Sequence, residues 1–406
     1  MTAQTYTLSN GLRIIHLPTN SQVAYCGFAV NVGARDENDH EHGLAHFVEH
    51  ALFKGTRKRK AWHILNRMEN VGGELNAYTT KESTFLYSIF MEKNFSRAVE
   101  LLSDLVINSQ FPENELKKEC DVVLDEIQSY EDTPSELIFD DFENLIFAGH
   151  PLGHNILGNK RSLKSFNTAI SKSFLERYYV AENMAFFTMS CMDFKQVINI
   201  AEKYMAPIPT QKTPILREKP QIVHSQVLQR KKKTHLTHVI IGGRAYNMLN
   251  ENRYPLFLLN NILGGPGMNS RLNVNLREKN GLVYHVESNI TSYTDTGVFT
   301  IYFGTDPKNR ERALSLVEKE IAAFCTNRLT TAQLAAAKKQ AIGQMGVAGD
   351  NKEGMFLGLG KSFLHYCRYE TLPEIFSKIE KITAEQILET ANEILHSTNL
   401  FKLIYE

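Results

Sequence analysis

Apolar positions recur along the chain with two periods, and each half of the sequence uses both. Residues 5–32 combine alternation with an apolar run over 25–32, which predicts two strands around a turn at Ser9-Asn10-Gly11. Residues 41–53 carry the 3.6-residue period of a helix, and 61–71 predict a second helix that stops at Gly72-Gly73. Two strands are expected within 74–90, the later part (84–90) being rich in strand formers. Amphipathic helices follow over 95–107 and from Pro112 to about Glu131, with the proline near the first turn. A helix near 171–179, a strand at 183–191 and a helix at 194–205 complete this half.

Between 206 and 229 the pattern lapses into a proline-punctuated polar stretch that reads as a linker. Then the order repeats. Val239-Ile240-Ile241-Gly242-Gly243 echoes the strand of residues 27–32, Arg312-Ala313-Leu314 matches Arg97-Ala98-Val99, and Leu334 aligns with Leu116. Asn399-Leu400-Phe401-Lys402 echoes Asn183-Met184-Ala185-Phe186 near the end of each half. A repeat of this length is a duplicated domain rather than a solenoid. The expected fold is α+β: two homologous domains, 1–208 and 230–406, joined by a linker at 209–229. Each is expected to be a mainly antiparallel sheet packed with helices.

Composition narrows the function classes. The 406 residues hold 45 Lys plus Arg and 45 Asp plus Glu, so no global charge argues for nucleic acid or an anionic membrane. No apolar run approaches the roughly 18 residues of a membrane span, and the N-terminus lacks a secretory pattern. The five cysteines (Cys26, Cys120, Cys191, Cys325, Cys367) show no CxxC pairing and read as reduced thiols of a cytoplasmic protein. The basic runs at 57–60 and 230–233 read as solvated loop and edge-strand charges.

The chemistry centres on His46-Phe47-Val48-Glu49-His50. Two histidines four apart share one helical face, with the glutamate beside them. Two imidazoles bind Zn²⁺, and a nearby carboxylate can take a proton from water that the metal activates. The order His-x-x-Glu-His is the inverzincin signature. The duplicate position reads Phe257-Leu258-Leu259-Asn260-Asn261, so the scaffold does not require histidines there. A catalytic zinc site takes a third protein ligand, and the helix beginning after Pro112 offers Glu115, Glu119, Asp121, Asp125 and Glu126. Each of these residues alone reads more easily as a surface charge. His40, His42, His63, His150 and His154 lack partners at ligand spacing and read as packing or solvent-facing imidazoles.

The stretch from Gly43 to Thr56 (GLAHFVEHALFKGT), with that from Gly72 to Tyr87 (GGELNAYTTKESTFLY), resembles the pitrilysin/insulinase family of zinc peptidases, and in particular its short-chain branch that includes the mitochondrial processing peptidases. The resemblance runs from about Leu8 to the C-terminus. It implies one Zn²⁺ per chain, bound by His46, His50 and Glu126, the last 126 − 50 = 76 positions beyond the second histidine. Glu49 is the implied general base, and Glu119 matches the family's second acidic residue, suited to accept an imidazole N–H. In the duplicate helix Glu119 and Glu126 become Ala337 and Gln344, so both charges vanish together with the histidines.

The resemblance also implies that Asn76 and Ala77 lie on a substrate-binding edge strand, and that Arg277 and Tyr284 hold the peptide near the metal. Pro266 and Asn280 depart from the usual loop of that second domain. The expected function is therefore a zinc endopeptidase acting on short or unfolded peptides, as a homodimer whose active site is shared between subunits. The alternatives are a non-catalytic partner subunit and a zinc-stabilised binding module, the latter lacking an evident fourth ligand.

Overall fold

The computed structural model describes residues 2–213 and 215–406. The first sheet holds β1 (Gln4–Thr7), β2 (Arg13–Pro18), β3 (Val23–Val30), β4 (Glu74–Thr79), β5 (Thr84–Met91) and β6 (Met184–Ser190) in the order β1-β2-β6-β3-β5-β4. The second holds β7 (Val227–Arg230), β8 (Thr237–Ala245), β9 (Val283–Ser292), β10 (Gly297–Thr305) and β11 (Phe401–Tyr405) in the order β7-β11-β8-β10-β9. Strand for strand, β2, β6, β3, β5 and β4 correspond to β7, β11, β8, β10 and β9. Each sheet has one parallel pair, β2 with β6 and β7 with β11, and is otherwise antiparallel. The duplication read from sequence is thus a duplication of topology. The segment 5–32 contributes three strands rather than two, because the chain bends again at residues 19–22.

The helices up to the linker are α1 (Leu44–Ala51), α2 (Ala61–Glu69), α3 (Phe95–Asn108), α4 (Glu113–Glu131), α5 (Pro134–Ile146), α6 (Lys160–Leu163), α7 (Thr168–Tyr178) and α8 (Phe194–Met205). Those beyond it are α9 (Arg253–Gly264), α10 (Arg310–Thr326), α11 (Thr331–Ala348), α12 (Lys352–Tyr366), α13 (Leu372–Lys381) and α14 (Ala384–Ile394). Among the described residues no helix is long and apolar enough to cross a membrane.

Two compact units result, and they do not follow chain order. The first takes the chain up to Gln128, then His154–Arg217 and Asp350–Glu370; the second takes Ser129–Gly153, Glu218–Gly349 and Thr371–Glu406. The sequential division expected at 208 and 230 is therefore crossed twice, and the linker is split. Its part up to Arg217 goes with the first unit, where the Arg217 guanidinium donates to both Asp36 carboxylate oxygens at 2.8 Å and to the Glu82 carbonyl at 2.8 Å.

In the first unit, one sheet face packs on helices of the N-terminal half around Phe28, Phe47, Leu102 and Phe186. The opposite face, with Ile15, Ala29, Phe85 and Phe187, is covered by α12 through Phe356, Leu359 and Phe363. The Phe187 and Phe356 rings stack with centroids 4.4 Å apart. Gly360 permits this approach, since a Cβ there would stand 2.7 Å from the Phe187 ring. The second unit mirrors the arrangement: α5 places Ile138 and Phe142 against Ile240, Tyr302 and Leu403.

Candidate metal centre

Helix α1 is short, and its register is set at its N-terminus. Gly43 adopts φ 93° and offers no side-chain cap. The buried Glu37 carboxylate takes that place, accepting the N–H groups of Gly43 at 2.9 Å and Ala45 at 2.8 Å. Only glycine fits at 43, because a Cβ would lie 2.7 Å from the Leu157 carbonyl oxygen and the Gly158 Cα. Leu44, Phe47, Val48 and Ala51 bury one side of the helix in the core. The remaining face carries His46, Glu49 and His50 toward α4.

Three groups converge there. Glu126 Oε2 lies 3.8 Å from His46 Nε2 and 3.9 Å from His50 Nε2, and one donor atom from each residue falls within 4.8 Å of the others. Tetrahedral zinc with ligands at about 2.0–2.1 Å separates its donors by roughly 3.3–3.5 Å, so the two glutamate–histidine separations stand within about half an ångström of those of a three-ligand set. The tautomers agree with this. His50 Nδ1 lies 2.8 Å from Glu119 Oε1 and donates to it, which leaves the Nε2 lone pair on the side of Glu126. The fit is of two imidazoles and one carboxylate, a catalytic rather than a closed structural set.

The electrostatics separate the roles. Burial lowers the His46 pKa to about 4, with the His50 charge adding to it, so its ring is neutral at pH 7 and free to act as a ligand. Burial also opposes charge on His50, but the Glu119 hydrogen bond and the charges of Glu49, Glu119 and Glu126 outweigh it and raise its pKa. Burial raises Glu49 to about 7, against the pull of His50 and the Thr79 hydrogen bond. Glu119 is held below the usual carboxylate range: burial works against this, and hydrogen bonds from His50 and Lys54 prevail.

The sequence-derived residues fall as follows. His46, Glu49, His50, Glu119 and Glu126 meet between α1 and α4. Asn76 and Ala77 lie on β4, paired with Tyr87 and Leu86 of β5. β4 is the outermost strand of its sheet, so among the described residues its far edge has no strand partner. Arg277 and Tyr284 belong to the second unit, where they form a pair with the guanidinium 5.8 Å from the ring centroid and Tyr284 88% exposed. His42 and His154 pack ring on ring with centroids 3.9 Å apart, in keeping with a packing role.

Two contacts escaped the sequence reading. The Thr79 hydroxyl donates to Glu49 Oε2 at 3.0 Å, and Lys54 pairs with Glu119 Oε2. A signal existed for each. Lys54 continues the four-residue step of His46 and His50, and Thr79 shares the strand face of Ala77.

The profile described as Insulinase (Peptidase family M16) matches residues 14–160, and that described as Peptidase M16 inactive domain matches residues 165–341. The uncharacterized zinc protease YmxG of Bacillus subtilis (strain 168) is 32% identical over 401 residues, covering 98% of this chain and 97% of that protein. The beta subunit of the mitochondrial-processing peptidase of Bos taurus is 30% identical over 399 residues, covering 96% and 81%. A protease from Helicobacter pylori shares the fold, with a TM-score of 0.93, 20% identity and complete coverage of both chains.

Proposed function

The chain belongs to the insulinase (peptidase M16) family, and from that premise we propose that it is a zinc endopeptidase of short or unfolded peptides, with its site in the first unit. The observation that carries this reading is the convergence of His46, His50 and Glu126 with the buried, unpaired side of Glu49. The duplicate helices α9 and α11 lack every one of these groups. The complete set supports an active peptidase over a non-catalytic partner subunit.

His46, His50 and Glu126 would hold the metal. Zinc in such a site acidifies water and polarises a carbonyl. Glu49 is the general base: its Oε2 is held by Thr79, so Oε1 takes the proton of the attacking water and the carboxyl later returns it to the leaving amine nitrogen. A carboxyl near pH 7 in its unliganded surroundings shifts downward beside a cation, which keeps it an acceptor under neutral conditions. Glu119 fixes the His50 ring, and Lys54 fixes Glu119. The unpartnered edge of β4, with Asn76 and Ala77, receives an extended peptide by main-chain hydrogen bonds. Arg277 and Tyr284 contribute further substrate contacts.

The test is Glu49→Gln. Zinc content should stay at one per chain while cleavage of a mixed peptide library falls by at least roughly 100-fold, the scale of a lost general base. Near-normal turnover in that variant would overturn the assignment.

A further inference from the structure

Away from the metal, α2 borders a cavity of about 280 Å³ that the reaction does not use. Lys58, Arg59, Trp62, His63, Arg67 and Arg97 are among the residues that line it, and among the described residues no acidic side chain does. Nearby carboxylates only partly balance these four cations. Glu100 accepts from Arg59 at 2.7 and 2.8 Å and from Arg67 at 3.3 Å, and Asp104 accepts from Arg59 at 2.5 Å. That leaves four positive groups against two negative ones. Arg67 Nε is buried and has no hydrogen-bond partner. Trp62 is 59% exposed and Leu65 54%, large apolar surface set beside the charges.

Chain geometry connects this cavity to the metal centre. Asn70, just beyond α2, also lines it, and the turn through Gly72 and Gly73 leads directly into β4. β4 begins at Glu74 beside that turn and ends at Thr79, whose hydroxyl touches Glu49. Six residues of strand span about 17 Å at ~3.4 Å per residue. A peptide laid along β4 with its scissile bond at Glu49 therefore reaches the cavity some five to seven residues away, at the spacing of an extended chain.

We propose that the Trp62 cavity anchors an acidic segment of the peptide substrate, carried about five to seven residues from the scissile bond. The proposal rests on the peptidase reading given above. Carboxylates of the segment pair with Lys58, Arg67 and Arg97, and its backbone or apolar atoms lie on the indole of Trp62. An ordinary solvated charge run would keep its cations apart and spread acidic residues among them; here the acids lie behind the cations and leave the cavity walls positive.

Trp62 is the single tryptophan of the chain, so its fluorescence reports on this cavity alone. Titrating the Glu49→Gln protein with hexaglutamate should give a saturable change that weakens with added salt. Hexalysine and a neutral Gly-Ser peptide should give none. Lys58→Glu, and separately Arg97→Gln, should weaken the hexaglutamate response roughly 3- to 10-fold, the range for exposed charge contacts. With the unmodified enzyme, moving a Glu-Glu pair from the second to the sixth residue from a fixed cleavage site should lower KM, and Lys58→Glu should abolish that gain. An unchanged Trp62 signal with hexaglutamate, an equal response to the neutral peptide, or saturation by single-stranded DNA in place of the acidic peptide would overturn the proposal. Absence of any cleavage would count against the peptidase reading, while the fluorescence titration would still decide the cavity.

Discussion

Thr79, Glu119 and Glu126 touch three different parts of the centre and so test it side chain by side chain. Thr79→Val removes the donor to Glu49 Oε2; kcat/KM should fall about 3- to 10-fold with zinc content unchanged, and Thr79→Ser should restore it. Glu126→Gln should lower zinc occupancy measured by metal analysis, whereas Glu119→Gln should mainly lower activity; equal metal loss in both would mean their roles are reversed. A histidine outside the centre adds to the pH dependence of stability. His16 is fully buried and stacks on Phe194, and burial lowers its pKa to about 4. The unfolded chain binds its proton near pH 6.5 and the folded chain only near 4, so this site costs nothing above pH 6.5 and lowers stability progressively between those values, by up to roughly 3 kcal/mol. Urea unfolding at pH 7 and pH 4.5 should show a smaller acid loss in His16→Phe than in the parent. The grouping of His46, His50 and Glu126 was legible because their spacing is written into α1 and α4. Thr79 was not, since its role depends on the tertiary approach of β4 to α1, which no local pattern encodes.

Many elements were legible from their hydrophobic periods; α5, α13 and α14 went unread although their periods are clear, and α12 escaped for a different reason. α12 reads Gly354-Met355-Phe356-Leu357-Gly358-Leu359-Gly360, apolar on nearly every side, so periodicity neither announces it nor says which sheet it covers. Its importance is nonetheless testable. Phe356→Ala should destabilise the first unit by about 3–5 kcal/mol, and Gly360→Ala by about 1–3 kcal/mol, because its new methyl meets the Phe187 ring. Thermal unfolding of each variant checks this. α1 and α4 make the complementary case, two helices that a metal would tie together. Chelation should lower the melting temperature by several degrees, and Glu126→Gln should remove most of that response.

On the scale of the whole molecule, the His46/His50/Glu126 group and the Arg277/Tyr284 pair reside in different units. If each zinc site draws that pair from a second copy of the chain, Glu49→Gln and Arg277→Ala proteins should each be nearly inactive alone and should regain activity when co-assembled. No recovery in verified mixed dimers would rule out the shared site. The duplication itself was legible, through echoed segments such as residues 239–243. The exchange of α5 and α12 between units was not, because equivalent helices in two repeats carry no label of which partner they cover. That exchange also bears on synthesis. The first unit is supplied with its ligands by residue 126 but is completed only by residues 350–370. From Arg217 to Glu370 the ribosome adds 370 − 217 = 153 residues, which at about 5–20 residues per second takes roughly 8–30 seconds. Throughout that interval one face of the sheet that frames the metal centre stays bare. In a nascent chain stalled with residue 260 emerged, the first unit should be readily digested by an added protease, and in one stalled after residue 370 has emerged that unit should resist it. The first unit would thus stay incomplete on the ribosome until most of the chain has been translated.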